Sequence, residues 1–166
     1  NTCAVTKEAE KQAKQKIRKI KRENPNAKII VTGCSAQINP SNYKNMGEVD
    51  LILGNEEKFE FEKYLTLVNK KTPKIVVNDI MSVKETANHF IKGFDKNARA
   101  FVQIQTGCDH RCTFCIIPFA RGNSRSIPIN NICKQIKLLI NEGFKEIVLT
   151  GVDLTSYGND LYSKPS

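Results

Sequence analysis

The sequence predicts an α/β protein with parallel sheets, built in two parts. Three short, β-branched apolar runs at residues 28–31, 50–53 and 74–77 are typical of buried strands in a parallel sheet. Helical patterns at about 6–22 and 57–69 alternate with these runs. This alternation predicts helices that cover the faces of a parallel sheet.

The first predicted helix has clear signals at both ends. Thr6 can cap its N-terminus, acidic residues follow in the first turn, and Asn24 with Pro25 stops it. Its apolar residues fall on one face, and they are Ala9, Ala13, Ile17 and Ile20. One side should therefore pack against the sheet. The lysine-rich side is either solvated or follows an RNA backbone.

A second unit is predicted to contain a strand at residues 100–105, a loop, a helix at 128–141 and a strand at 146–150. Residues from Gly151 onward offer no further core. A single β-α-β unit cannot bury both faces of its sheet, so this part looks cut short. We expect an N-terminal domain over 1–78, a linker over 79–98 and a truncated second domain over 99–166.

The composition indicates the cellular compartment of the protein and the charge of its binding partner. Lys and Arg outnumber Asp and Glu by 26 to 17 in 166 residues, giving a formal charge of +9 that favours an anionic partner. No leader and no long apolar run opens the chain, so we expect a cytoplasmic protein with no membrane association. Six cysteines in so long a chain favour thiolates that bind metal over a disulfide scaffold.

The strongest motif is a cysteine loop that directly follows a predicted strand. Cys108, Cys112 and Cys115 have the spacing Cys-x3-Cys-x2-Cys, and thiolates are the usual ligands of iron-sulfur clusters. In a cluster of four irons, three cysteine ligands leave one iron open to a substrate. Zinc is the alternative, but it normally takes four ligands, and His110 lies at the wrong offset for the usual pairs. Cys133 is interpreted as a core thiol of the second helix.

This loop, with Phe114 directly before its third cysteine, resembles that of the radical S-adenosylmethionine (SAM) superfamily. The resemblance implies that Cys108, Cys112 and Cys115 hold a [4Fe-4S] cluster. It also implies that the open iron chelates the amino and carboxylate groups of SAM, and that Phe114 lies near its adenine.

Two outlying cysteines, Cys3 and Cys34, are weak signals alone, and a structural role is the simpler interpretation. Cys34 nevertheless follows a strand, where ligands collect in open parallel sheets. The motifs at residues 1–6, 32–34 and 117–122 together resemble the methylthiotransferase family. That resemblance implies a second, auxiliary [4Fe-4S] cluster. Cys3 and Cys34 match the second and third of its ligands, and the first is expected before residue 1.

Within this family, residues 1–6, 106–108 and 151–158 look most like the branch that acts on threonylcarbamoyladenosine in tRNA. The branches acting on isopentenyladenosine in tRNA or on a ribosomal-protein aspartate are the alternatives, as is a non-catalytic metal-binding remnant. The resemblance implies methylthiolation at C2 of the adenine, with tRNA, a sulfur donor and an electron donor as partners. It also implies that the second part is the first β-α-β unit of a radical SAM partial TIM-like barrel. Such a fragment is expected to be inactive alone in methylthiolation.

Four further residues are candidates for binding. Gly151 and Asp153 follow a strand and match the position that meets the methionine end of the cofactor in the superfamily, although a plain turn explains them equally well. Arg121 and Arg125 flank a turn near the cysteine loop, where they hold a cofactor carboxylate or an RNA phosphate, or are simply solvated. No side chain is expected to act as a catalytic residue, because the cofactors carry the chemistry.

Overall fold

A computed structural model describes residues 1–68, 74–84 and 99–161. The chain forms two compact units, one of Asn1–Val83 with Arg111–Arg121 and one of Lys84–His110 with Gly122–Ser166. The α-helices are α1 (Lys7–Glu23), α2 (Cys34–Ile38), α3 (Ser41–Lys44), α4 (Ile117–Arg121) and α5 (Ile129–Asn141). The strands are β1 (Ile30–Val31), β2 (Leu51–Leu53), β3 (Lys74–Val76), β4 (Arg99–Gln103), β5 (Gln105–Thr106), β6 (Arg125–Ser126) and β7 (Glu146–Thr150). Short 3-10 helices lie at Glu57–Leu67, Ile80–Ser82 and Leu154–Ser156.

The first unit contains a parallel three-stranded sheet in the order β1-β2-β3. Ile30 pairs with Leu51, and Leu51 pairs with Lys74. All three residues of β2 are buried, which explains their uninterrupted apolar sequence in the middle of the sheet. The predicted parallel strands are confirmed, although each is one or two residues shorter than the apolar run that predicted it.

Helix α1 packs on this sheet as predicted. Thr6 Oγ1 accepts a hydrogen bond from the Ala9 backbone N–H at 3.1 Å, which caps the helix, and Asn24 ends it. Ile17 is buried in a core with Val31, Tyr43 and other apolar residues. Ile20, predicted on the same face, is exposed, because the last turn of the helix extends past the core.

The segment predicted as a helix over 57–69 is a 3-10 helix over Glu57–Leu67 with a kink at Glu60, and residue 69 lies outside the described ranges. Its large apolar residues Phe59, Phe61 and Leu65 are all exposed. They form no single packed stripe, so tertiary contacts do not favour regular α-helix there. Of the predicted linker, residues 85–98 lie outside the described part.

The second unit pairs β4 with β7 in parallel, from Arg99 opposite Glu146 to Gln103 opposite Thr150. Apolar residues of α5 pack with β4 and with Phe144 in the core of this unit. The predicted strand over 100–105 is divided at Ile104, and its second piece, β5, pairs antiparallel with β6. The mixed α/β class is therefore confirmed, whereas the partial barrel and the domain limits stay predictions.

Two expectations for this unit were wrong. Cys133 is exposed, not a core thiol, because the buried face of α5 is set by Ile132, Gln135 and Leu139, and Cys133 lies to one side of it. The residues after Gly151 do contribute to the core: Tyr157 packs against it and donates a hydrogen bond to Ile127 O at 2.8 Å. Among the described residues, no helix combines the length and apolar character that a membrane span requires.

Candidate metal and cofactor site

The start of the cysteine loop is held by backbone contacts within the second unit. Gly107 has φ +73°, and a Cβ there would overlap the carbonyl of Asn123, so only glycine fits without strain. Directly after it, the Cys108 N–H donates to Gly122 O at 3.1 Å. Asp109 Oδ1 accepts from the Ser124 N–H at 2.9 Å. These bonds fix the backbone on both sides of Cys108.

His110 and Asp153 come together beside Cys108. His110 Nε2 lies 3.3 Å from Asp153 Oδ2. Within the described part of the chain, one ligand atom each from Cys108, His110 and Asp153 lie within 4.8 Å of one another. The structure therefore brings the Asp153 carboxylate, which was predicted to bind the cofactor, next to the first cysteine of the loop. No sequence pattern predicted that His110 belongs to this group.

Asp153 is held by a dense set of hydrogen bonds. Its carboxylate accepts from Thr155 Oγ1 at 2.6 Å and from Ser156 Oγ at 2.7 Å. The bonds from Ser156 and Thr155, with a smaller contribution from His110, lower the pKa of the Asp153 carboxyl below its ordinary value. A carboxylate fixed and ionised in this way is suited to accept an ammonium group.

The other two cysteines of the loop lie in the first unit. The Cys115 N–H donates to Cys112 O at 3.0 Å, forming a turn that leads into α4. Cys112 is exposed and Cys115 half-buried, and Phe114 between them is 90% exposed. All six cysteines of the chain lie in the described ranges, and each is a free thiol.

Cys3 and Cys34 each follow one of two residues that pair in the first unit. Thr2 and Gly33 form a parallel bridge, in which the Thr2 N–H donates to Thr32 O at 2.6 Å and the Cys34 N–H donates to Thr2 O at 2.8 Å. Because the pairing is parallel, Cys3 and Cys34 both follow it at the same end. Cys3 is exposed and Cys34 is buried.

A polar cluster surrounds Cys34. Asn55 Nδ2 lies 3.8 Å from Cys34 Sγ and donates to Ala120 O at 2.8 Å, while Lys58 Nζ donates to Asn55 Oδ1 at 2.9 Å. Burial lowers the pKa of Lys58, and the positive charge of Arg121 lowers it further. Sequence analysis missed Asn55 and Lys58, although Asn55 follows β2 at the strand end where ligands collect.

The two candidate arginines differ in exposure. Arg121 ends α4 and is half-buried, whereas Arg125 lies in β6 and is only 6% exposed. A solvated surface position is therefore excluded for Arg125.

Comparison with known families decides between the interpretations of the loop. Residues 102–163 match the radical SAM superfamily. The match includes the whole cysteine loop and Asp153. Residues 1–54 match the family described as "Uncharacterized protein family UPF0004". The family predicted from the spacing of Cys108, Cys112 and Cys115 is confirmed.

Similarity to curated proteins extends over the whole chain. It is 61% identical over 166 residues to "Threonylcarbamoyladenosine tRNA methylthiotransferase MtaB" of Rickettsia prowazekii, covering 100% of this chain and 38% of the relative. The Aquifex aeolicus protein of the same name is 43% identical over 161 residues, covering 96% and 39%. The "tRNA-2-methylthio-N(6)-dimethylallyladenosine synthase" of Clostridium botulinum is 38% identical over 176 residues, covering 97% and 37%. The chain thus spans well under half the length of these curated relatives.

The match to the radical SAM superfamily implies a [4Fe-4S] cluster and SAM, and the residues present fit both groups. The loop supplies three free thiols, which matches the thiolate ligation of such clusters. Asp153 supplies an ionised carboxylate next to Cys108, which matches the amino end of SAM.

Proposed function

We propose that this chain is part of a tRNA methylthiotransferase that modifies C2 of N6-threonylcarbamoyladenosine next to the anticodon. The observation that carries the proposal is the 61% identity to the Rickettsia prowazekii relative, which extends over all 166 residues. The aligned region includes all six cysteines of the chain, from Cys3 to Cys133. The protein would work with tRNA in the cytoplasm, and with separate donors of sulfur and electrons.

Cys108, Cys112 and Cys115 would hold the [4Fe-4S] cluster of the radical SAM site. When bound, the cluster supplies an electron for reductive cleavage of SAM, which is the step that begins radical chemistry in this superfamily. The chain's own residues bind and orient the cofactor. Asp153 would pair with its ammonium group, Gly151 leaves room beside its methionine end, and the exposed ring of Phe114 would cover its adenine.

Cys3 and Cys34 would supply two ligands of an auxiliary [4Fe-4S] cluster. Support comes from the bridge between Thr2 and Gly33, which pairs the two chain segments that carry these cysteines. The Asn55 amide would donate a hydrogen bond to the Cys34 sulfur, and hydrogen bonds of this kind tune the potential of a cluster.

Contacts to tRNA would come from basic side chains. Arg121 and Arg125 are the proposed phosphate ligands near the cysteine loop. A groove of about 460 Å³ along α1 is lined by Gln15, Arg18, Lys21, Arg22 and Glu48. Its three cations, with the net charge of +9, favour a phosphate backbone there also.

Reductive cleavage of SAM tests the radical site directly. After anaerobic reconstitution with iron and sulfide, the chain is reduced with dithionite in the presence of SAM, and 5′-deoxyadenosine is measured by mass spectrometry. We expect product from the wild-type chain and from Cys133→Ala, since Cys133 lies in α5 outside the loop, and none from Cys112→Ala. Product from Cys112→Ala equal to wild type would exclude the loop as the cluster site.

A chimera tests the substrate. This chain replaces the matching segment of the Rickettsia prowazekii relative, and the chimera acts on tRNA carrying either threonylcarbamoyladenosine or dimethylallyladenosine. We expect a methylthio group only on the former. Modification of the latter alone would favour the second candidate, which the 38% identity to the Clostridium botulinum synthase supports. In the same chimera, Cys34→Ala should abolish sulfur transfer, and full activity would exclude the auxiliary site.

A further inference from the structure

Gln105 is a polar side chain buried in the second unit and lies outside every role described above. It opens β5, directly after the division at Ile104, and has no exposed surface. A buried amide is costly unless both its donor and acceptor groups are satisfied. The partners of Gln105 therefore show what it is for.

The amide nitrogen of Gln105 contacts the start of the cysteine loop. Nε2 donates to Gly107 O at 2.8 Å and to Thr106 O at 3.0 Å, and it lies 3.0 Å from Ser124 Oγ. Gly107 immediately precedes Cys108. Ser124 belongs to the turn whose backbone N–H also binds Asp109. The donor end of the side chain thus holds the loop on either side of its first cysteine.

The amide oxygen contacts a different segment, the one that follows β7. Oε1 accepts from the Val152 N–H at 2.8 Å and from the Asp153 N–H at 2.9 Å. Gly151 passes directly over the same side chain, because a Cβ at 151 would lie 3.0 Å from Oε1 and 3.1 Å from the Gln105 Cβ. A Cβ at 151 would also lie 2.6 Å from Leu154 Cδ2, so Gln105 and Leu154 together leave little room for a side chain at Gly151.

We propose that Gln105 is a positioning residue that fixes the strand end at Val152 and Asp153 relative to the loop at Gly107 and Cys108. This inference rests on the proposed radical SAM function. In that setting, one segment carries the first cluster ligand and the other carries the carboxylate that meets the cofactor. Gln105 joins them through a single rigid group with donors on one side and an acceptor on the other. A glutamine amide supplies both without carrying a charge, which suits this buried position.

Two variants separate the two halves of the contact. Gln105→Glu keeps the shape and the acceptor oxygen but replaces the donor with a second oxygen, which faces the carbonyl of Gly107. Gln105→Leu removes both halves. Gln135→Leu is the matched control, since Gln135 is a buried glutamine on α5 of the same unit. Ser124→Ala is a milder variant that removes one contact of Nε2.

Amide hydrogen exchange of the chain without cluster measures the contact itself. We expect Val152 and Asp153 to lose protection in Gln105→Leu and to keep it in Gln105→Glu and Gln135→Leu. Unchanged protection in Gln105→Leu would overturn the proposal, and this result needs neither the cluster nor SAM. The expected loss of protection is confined to Val152 and Asp153. A general loss of structure would also expose the amides of α5, so the two outcomes can be told apart.

Affinity for SAM measures the consequence. The reconstituted chains are compared by iron content, by unfolding temperature, and by the change that SAM causes in the electron paramagnetic resonance spectrum of the reduced cluster. We expect Gln105→Glu to retain its iron and to bind SAM about 10- to 100-fold more weakly, the range found for residues that orient metal ligands. Ser124→Ala should show a smaller loss in the same direction. Wild-type affinity in Gln105→Glu would overturn the positioning role alone, whereas a wild-type chain that binds no SAM would overturn the proposed function.

Discussion

Thr2 and Gly33, separated in sequence by the whole of α1 and β1, pair in parallel so that the Cys34 N–H donates to Thr2 O at 2.8 Å. Thr2 Oγ1 adds to this pairing by donating to Thr32 O at 2.7 Å and accepting from the Ala36 N–H at 3.2 Å. The proximity of Cys3 to Cys34 therefore depends on backbone pairing, with no bond between the two cysteines themselves.

Gly33→Ala should separate these segments. Gly33 has φ +102°, and a Cβ there would overlap the backbone of Thr2. We expect a loss of about 1–3 kcal/mol in the free energy of unfolding, measured by urea denaturation. Gly47→Ala is the control, because a Cβ at Gly47 meets no atom within 4 Å. Equal stability of the two variants would contradict the tight approach of Thr2 to Gly33.

Gly107→Ala should lower iron binding. Gly107 and Gly143 both have positive φ, but a Cβ at Gly107 would overlap Asn123 O, whereas a Cβ at Gly143 meets open space. Gly143→Ala therefore controls for backbone strain alone. After anaerobic reconstitution, we expect the Gly107 variant to hold less iron than the Gly143 variant. Equal iron in both would mean that the loop tolerates displacement of Gly107 from Asn123.

Asn55→Ala should destabilise the first unit. Its side chain bonds to Ala120 O and to Lys58, and loss of the amide leaves a buried carbonyl and a half-buried cation without these partners. The expected cost is about 1–3 kcal/mol in the free energy of unfolding. Asn45→Ala, at the exposed end of α3, should change stability little. A cost no larger than that of the control would show that Asn55 is dispensable for this packing.

The ionisation of Asp153 should respond to Ser156. Since the folded-state pKa lies below the ordinary value of 3.8, this carboxylate stabilises the fold fully above that pH, and the contribution is lost as the pH falls through the lower folded pKa. Ser156→Ala removes the largest cause, so the pKa should rise toward 3.8. Carbon-13 NMR titration of the carboxyl measures it. Ser41→Ala should leave the value unchanged, and an equally low pKa in Ser156→Ala would mean that another group holds the charge.

Local signals predicted part of the fold well. The cap at Thr6, the end of α1 at Asn24 and the limits of β7 all follow from side chains within a few residues, and the structure confirms them. The split at Ile104 was missed because it depends on Ile127, whose N–H donates to Ile104 O at 2.8 Å, far along the chain. Helical spacing likewise could not show that Cys133 lies beside the packed face of α5.

The candidate site shows the same division. The cysteine spacing together with Phe114 was enough to suggest the superfamily by resemblance. The role of His110 beside Asp153 and of Asn55 beside Cys34 depends on contacts between residues 43 and 21 positions apart, which no local pattern carries. Gln105 is the extreme case, since nothing in its neighbourhood distinguishes it from the exposed Gln103 two residues earlier.

Iron and acid-labile sulfide per chain, after anaerobic reconstitution, test the central claim most directly. The comparison is between the wild-type chain, a variant with Cys108, Cys112 and Cys115 all changed to Ala, and Cys133→Ala as the control. The account predicts that the triple variant loses about four irons and an equal amount of sulfide per chain, and that Cys133→Ala loses none. Zinc in place of iron, or iron unchanged in the triple variant, would contradict the radical SAM assignment of this loop.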